Sequence, residues 1–109
     1  MTTLINLTPH SLTLHGDGIV TIPPSGIVAR LSVQRKFLKP ISIDGVELPV
    51  SKSEFGSVQD LPKPQDGTLY VVSAMVAGAV NRADVFSPGE LVRDAKGDVI
   101  GAKGLTAYA

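Results

Sequence analysis

The chain has 109 residues, no cysteine, and ten Lys and Arg against ten Asp and Glu. This length is typical of one domain of roughly 100–200 residues. The lack of cysteine excludes disulfides, thiolate metal sites and a cysteine nucleophile. A formal net charge of zero argues against broad binding of long nucleic acid or an anionic membrane, because such surfaces usually carry a basic excess.

Neither the start nor the interior of the chain predicts membrane insertion or export. Residues 1–7 lack the basic segment and long apolar run of a signal peptide. The longest apolar stretch, residues 69–80, is shorter than the roughly 20 residues that a spanning helix needs. We therefore expect a cytoplasmic protein that does not bind membranes.

The first third of the chain predicts short strands. Residues 11–15 and 19–22 are rich in β-forming residues and flank Gly16-Asp17-Gly18, which indicates a hairpin. Pro23 and Pro24 end the second strand, since proline cannot donate to a strand ladder. Alternation of apolar residues over residues 26–33 predicts a third strand.

The alternation then stops at residues 34–40, where Arg35, Lys36 and Lys39 surround Phe37. We interpret this segment as a solvated loop, because nucleic-acid surfaces usually pair a wider basic stripe with more aromatic residues. Residues 41–48 predict a hairpin with a type I′ turn at Asp44-Gly45. Residues 51–58 are interpreted as an edge strand and residues 60–67 as a loop.

The strongest strand pattern is Thr68–Ser73, an apolar run typical of a strand buried on both faces. Ser73 and Asn81 are suitable caps for a short helix of small apolar residues between them. Residues 91–101 predict a last hairpin, and residues 105–108 a terminal strand. The predicted fold is a single β-rich α+β domain of mostly antiparallel short strands and hairpins, with one short helix near residues 74–81.

The two histidines do not form a metal-binding pattern. His10 and His15 are five residues apart, so a continuous strand would point them to opposite faces. We interpret His15 as a solvated hairpin residue and expect no metal or cofactor. His10 follows Pro9 in a rigid turn, where its ring either meets a ligand or caps a neighbouring carbonyl.

Arginine side chains are the natural ligands for phosphate, because the guanidinium fork binds oxyanions bidentately. Arg30 lies among apolar residues of a predicted strand, where its head group needs an anion, a carbonyl or solvent. Arg82 and Arg93 lie near Asp84 and Asp94, so a local ion pair is the alternative to a ligand contact at both.

The chain resembles a group of small proteins of similar length that are encoded in bacteriophages, prophages and some bacterial genomes. The resemblance covers nearly the whole chain. It is carried by Asn6-Leu7-Thr8-Pro9-His10, by Ile22–Gly26 with Ala29-Arg30, by Leu61–Pro64 with Gly67–Ser73, by Arg82–Val85 with Pro88-Gly89, and by Val92-Arg93-Asp94 with Gly97 and Val99–Gly101.

By analogy, this phage context implies an anti-defence protein that sequesters a small anionic nucleotide signal of bacterial immunity without cleaving it. The protein would act as a homo-oligomer in the cytoplasm of the infected host. The ligand-binding residues that we predict are Thr8, His10, Ser25, Gly26, Arg30, Arg82 and Arg93.

Two other functions stay open at this point. The chain is also compatible with a structural or interaction module, such as a virion accessory protein or an inhibitor of a host protein. A nucleotide-cleaving enzyme that uses His10 is the third hypothesis, although the sequence assembles no recognisable catalytic constellation.

Overall fold

The computed structural model describes residues 2–109, which contain eight strands and one short helix. In chain order they are β1 (Thr3–Asn6), β2 (Leu12–His15), β3 (Ile19–Ile22), β4 (Arg30–Ile43), β5 (Val46–Gln59), β6 (Thr68–Val71), α1 (Ala74–Val80), β7 (Val85–Arg93) and β8 (Val99–Ala107). Strands β4 and β5 form a sheet of their own, and the other six strands form the second sheet.

The six-stranded sheet has the order β1-β6-β7-β8-β2-β3 and curls into a nearly closed barrel. The β2–β3 and β7–β8 pairs are antiparallel, as the predicted hairpins require. The β1–β6, β6–β7 and β2–β8 pairs are parallel, so this sheet is mixed. The strand-rich α+β fold with antiparallel hairpins is confirmed, but the predicted predominance of antiparallel pairing does not extend to the whole barrel.

The core lies where β6 passes between β1 and β7 under the helix. Tyr70, Val71 and Val72 are at most 1% exposed, which confirms a strand buried on both faces. Val76 and Ala77 of α1 pack onto the same cluster. The parallel β6–β7 pair needs a crossover between its strands, and α1 supplies it.

The helix has the caps that the sequence indicates. The Ser73 side chain accepts a hydrogen bond from the Val76 amide, 3.4 Å away. Asn81 ends the helix in the left-handed conformation, with φ of 48°, and its amide donates to the Ala77 carbonyl. The predicted helix near residues 74–81 is confirmed.

Strands β4 and β5 form a long antiparallel hairpin, the arm (residues 30–59), most of which is exposed. The radius of gyration is 18.2 Å, against about 13 Å for a compact chain of this length. The sequence-based interpretation of residues 34–40 as a loop is wrong, because they continue β4. A register shift between Leu38 and Ile41 takes up Pro40, so the ladder survives a residue that cannot donate.

The turn of the arm has the predicted geometry, since Asp44 and Gly45 both have positive φ, 50° and 77°, as a type I′ turn requires. The strand boundaries around it differ from those predicted. Residues 26–29 are not strand, since β4 begins at Arg30, and residues 51–58 belong to one strand with 46–48.

Candidate functional site

A buried asparagine organises the loops at one end of the barrel. The Asn6 side chain, 1% exposed, donates from Nδ2 to the His10 carbonyl at 2.7 Å and to the Ile22 carbonyl at 3.1 Å. Its Oδ1 accepts from the Thr8 amide at 2.9 Å and from the Thr8 hydroxyl at 2.6 Å. The amide group therefore makes four hydrogen bonds, which fix the turn at residues 8–10 and tie β1 to the end of β3.

The loop after β3 lies beside this turn. The Ser25 amide donates to the Asn6 carbonyl at 3.0 Å, and the Ala29 amide donates to the Leu7 carbonyl at 3.0 Å. The Ser25 hydroxyl interacts locally with the Ile27 backbone. Gly26 has φ of 94°, which a side chain rarely allows.

The structure thus brings four of the predicted ligand residues to one end of the barrel: Thr8, His10, Ser25 and Gly26. His10, Ser25 and Gly26 are exposed, whereas Thr8 is half-buried and its hydroxyl is bound to Asn6. Arg30 follows Ala29 directly and is exposed, so it also lies next to these loops. The sequence offered a His10 ring that caps a neighbouring carbonyl as one way to hold this turn. In the structure the Asn6 side chain holds the turn instead.

Arg82 lies elsewhere and is occupied. Its Nε and Nη2 donate to the two carboxylate oxygens of Asp84 at 2.9 and 2.6 Å, and Nη1 donates to the Pro62 carbonyl at 3.0 Å. It follows α1, which starts near the Asn6 end of β6 and runs back along the strand. Arg82 therefore joins the 60–67 loop to the start of β7 at the opposite end of the barrel from His10.

The Arg82 side chain also sets the charge of its partner. Its hydrogen bonds and positive charge lower the pKa of Asp84 below the usual value near 3.8, against the opposing effect of partial burial. A guanidinium whose fork is filled by a carboxylate has little capacity left for a phosphate. The local ion pair, the alternative raised for Arg82, is what the structure shows.

Arg93 lies at the turn that joins β7 to β8. Its Nη1 donates to the Gly97 carbonyl at 2.9 Å, and the neighbouring Asp94 carboxylate accepts from the Lys96 and Asp98 amides at 2.9 and 3.0 Å. The side chain is exposed, and this turn is at the same edge of the sheet as the residue 8–10 turn. The ion pair predicted as the alternative for Arg93 is not what its side chain makes, because Asp94 accepts from backbone amides of the turn and Arg93 donates to a backbone carbonyl.

His15 differs from the solvated residue that the sequence suggests. It is half-buried, and its ring lies over Gly101, where a Cβ atom would come within 2.7 Å of Nε2. That nitrogen is buried without a hydrogen-bond partner among the described residues. The ring therefore packs against Gly101 and fills space between β2 and β8.

Sequence reasoning did not select Asn6 as a key residue. A local signal was present, because an Asn side chain commonly accepts a hydrogen bond from the backbone amide two residues later in a turn. Here the Asn6 side chain accepts from the Thr8 amide. The contact with Ile22 could not be found this way, since it joins residues 16 positions apart.

Comparisons of the chain with models of protein families, with curated proteins and with solved structures find no match. Within residues 2–109, no cluster of three or more His, Asp or Glu side chains is placed to hold a metal ion. No helix of the described residues is long and apolar enough to cross a membrane. The resemblance to phage-encoded proteins and the role that it implies stay predictions.

Proposed function

We propose that this protein is a non-catalytic binding protein that captures a small anionic, nucleotide-type ligand at the barrel-end loops (residues 7–11 and 23–30). The supporting observation is the Asn6 network. It holds the backbone of two loops in fixed positions, so the ordering cost of binding a ligand there is reduced.

The groups at these loops suit the parts of a nucleotide. The exposed His10 ring offers a stacking surface and hydrogen-bonding nitrogens for a base or sugar. Arg30 offers a bidentate fork for a phosphate, and the Ser25-Gly26 backbone can come close to it because Gly26 has no side chain. Arg82 is not part of the proposed site, since its fork is filled by Asp84. Arg93 is exposed at the same end of the barrel and uses only Nη1, on the Gly97 carbonyl, so it stays a candidate second ligand for the phosphate.

Binding without cleavage is favoured over the His10 enzyme. A general base needs a partner that orients it, and among the described residues the His10 ring makes no hydrogen bond to a carboxylate or a hydroxyl, only its backbone carbonyl being engaged. The protein would sequester an immune signal in the cytoplasm of an infected bacterium, and it would do so as a homo-oligomer.

An interaction module is the second candidate, and the arm favours it. Phe37 and Phe55 are 71% and 57% exposed on a hairpin that projects from the barrel. Exposed apolar surface of this kind is typical of protein–protein contacts.

Calorimetric titration of the purified protein with cyclic di- and trinucleotides and ADP-ribose derivatives tests the proposal. We expect one of these ligands to bind at micromolar protein and to be recovered intact after heat denaturation. Arg30→Ala should weaken binding by roughly ten- to a hundredfold, since a hydrogen bond to a charged group contributes about 1.5–3 kcal/mol.

Arg35→Ala is the matched control, because Arg35 is an exposed arginine farther along the same strand. Its affinity should equal that of the unchanged protein. Failure of every ligand in the panel to bind would overturn the proposal, and altered products that disappear in His10→Ala would support the enzyme in its place.

A further inference from the structure

An apolar cavity opens next to the barrel-end loops. It has a volume of about 380 Å³ and lies between β2, β7 and β8. Ser11, the last residue of the first loop, is part of its wall, so the cavity adjoins the proposed ligand site. Its volume falls within the range of about 300–1,000 Å³ that is typical of small-molecule sites. The space available to a ligand therefore continues beyond the two loops.

The wall of the cavity is uncharged and mostly apolar. Its larger side chains are those of Leu12, Leu14, Leu91, Val99 and Ile100. The last three are 46–55% exposed, so a ligand can reach them. A flat, weakly polar ring such as a nucleobase suits a wall of this kind. A phosphate does not, because its charge would lose water there without gaining a partner.

Two hydroxyl groups add polar contacts to this wall. Ser11 and Thr13 both line the cavity, and neither hydroxyl has a hydrogen-bond partner among the described residues. The Thr8 hydroxyl, by contrast, is bound to Asn6. A free hydroxyl can donate to a ring nitrogen or accept from an exocyclic amino group, and nucleobases carry both. The cavity therefore combines an apolar wall with groups that can address the edge of a base.

A guanidinium group lies at the rim of the cavity. Arg93 is the cross-strand partner of Val99, and such partners share a face of the sheet. Its Nη1 donates to the Gly97 carbonyl, while no group of residues 2–109 accepts from Nε or Nη2. Arg82 uses the same two nitrogens to hold the Asp84 carboxylate. In Arg93 this edge is open to a phosphate, which it can bind with two parallel hydrogen bonds.

The availability of Arg93, rather than the net charge of its turn, favours an anion here. Arg93 and Lys96 balance Asp94 and Asp98, so the turn is neutral. The Asp94 carboxylate already accepts from the Lys96 and Asp98 amides at 2.9 and 3.0 Å. An anion can therefore bind the open edge of Arg93 without displacing a contact of the protein.

This end of the barrel offers the same pair of groups twice. The loops present the His10 ring and the Arg30 guanidinium, and the cavity presents its apolar wall and the Arg93 guanidinium. A ligand with one nucleotide unit uses one of these sets. A ligand with two units uses both, and its second unit then binds at a high effective concentration.

We propose that the ligand has two nucleotide units. One unit is held at the loops by His10 and Arg30, and the other places its base in the cavity and its phosphate on Arg93. This inference rests on the proposed function and narrows the ligand to a dinucleotide, cyclic or linear.

Nuclear magnetic resonance of isotope-labelled protein tests the two-unit site with cyclic and linear dinucleotides of adenine, guanine, cytosine and uracil. We expect one of these ligands to shift two sets of amide signals, those of His10 and Gly26 in the loops and those of Thr13 and Ile100 in the cavity wall. The matching mononucleotides should bind at least about tenfold more weakly, because each engages only one set.

Two variants of the β7–β8 turn separate a phosphate contact from a general effect of charge. Arg93→Gln removes the open edge and should raise the dissociation constant of the dinucleotide roughly ten- to a hundredfold, the loss expected for a hydrogen bond to a charged group. Lys96→Gln removes one positive charge from an exposed residue of the same turn and should change it by about threefold at most.

A second pair of variants tests the cavity. Leu91→Asp places a carboxylate in the wall and should weaken dinucleotide binding at least as much as Arg93→Gln. Ile19→Asp makes the same change at an exposed apolar residue of β3 outside this wall and should leave the affinity unchanged. Circular dichroism shows that each variant is folded.

Signals that shift only in the loops, or equal affinities of the Arg93→Gln and Lys96→Gln variants, would overturn the two-unit ligand and leave the proposed function standing. A mononucleotide that binds as tightly as every dinucleotide would do the same. Failure of every nucleotide to bind would overturn both.

Discussion

The barrel and the arm contain similar β-forming residues but use them in opposite ways. In the barrel, Tyr70 and Val85 are 1% exposed because a helix and neighbouring strands cover the sheet. In the arm, Ile41 and Val46 are more than half exposed, since the hairpin has no second layer. The difference shows that an alternating pattern specifies a strand, whereas the number of layers around the strand decides whether its apolar face is buried or exposed.

The largest expected effect breaks the barrel. Asn6→Ala removes the four hydrogen bonds of a buried side chain and leaves its partner groups on Thr8, His10 and Ile22 without them. We expect the free energy of unfolding to fall by about 3 kcal/mol, measured by urea denaturation. Gln34→Ala, which truncates an exposed amide of the arm, is the control and should change it by less than about 0.5 kcal/mol. Equal effects would contradict the contrast between the two regions.

A second comparison uses glycines in tight places. At Gly101 a Cβ would lie 2.6 Å from the Thr13 carbonyl, a backbone atom held in the barrel. Gly101→Ala should therefore destabilise the fold by about 2 kcal/mol. At Gly56 in the arm the obstructing atom is the Ser32 hydroxyl, which can rotate away, so Gly56→Ala should be nearly neutral. Thermal unfolding of both variants checks this, and a destabilising Gly56→Ala would show that the arm is packed as tightly as the barrel.

Local chemistry explains which elements the sequence could predict. The Asp44-Gly45 turn and the caps Ser73 and Asn81 depend on neighbouring residues, and they occur as expected. The length of the arm was missed because Pro40 and the lysines interrupt the apolar alternation, while a register shift lets the ladder continue. The parallel pairs of the barrel and the Asn6–Ile22 contact join distant segments, which no local pattern encodes.

The same limit applies to the candidate site. Its turn residues were found from proline and glycine, but the pairing of Arg82 with both Asp84 and Pro62 depends on a loop 20 residues away. The sequence therefore identified the residues of the barrel-end loops better than it identified which arginine stays free to bind a ligand.

The smallest expected effect concerns charge. The pKa of Asp84 is lowered in the folded protein, so the carboxylate stabilises the fold above its unfolded pKa, and this contribution is lost as the pH falls through the folded pKa. Asp84→Asn should reduce stability at pH 7 by about 1 kcal/mol and flatten its decline below pH ~4. Glu54→Gln, which removes the exposed ion pair of the arm, should change neither the stability at pH 7 nor its decline at low pH. Denaturant titrations at several pH values distinguish the two.

Hydrogen exchange tests most directly whether the barrel is a self-sufficient core and the arm a hairpin without a covering layer. Amides of residues 33–56 should exchange quickly, because an exposed two-stranded hairpin opens locally at little cost. Amides of β6 should exchange slowly, since its residues Tyr70 and Val71 are at most 1% exposed. Arm amides that are protected as strongly as those of β6 would contradict this contrast.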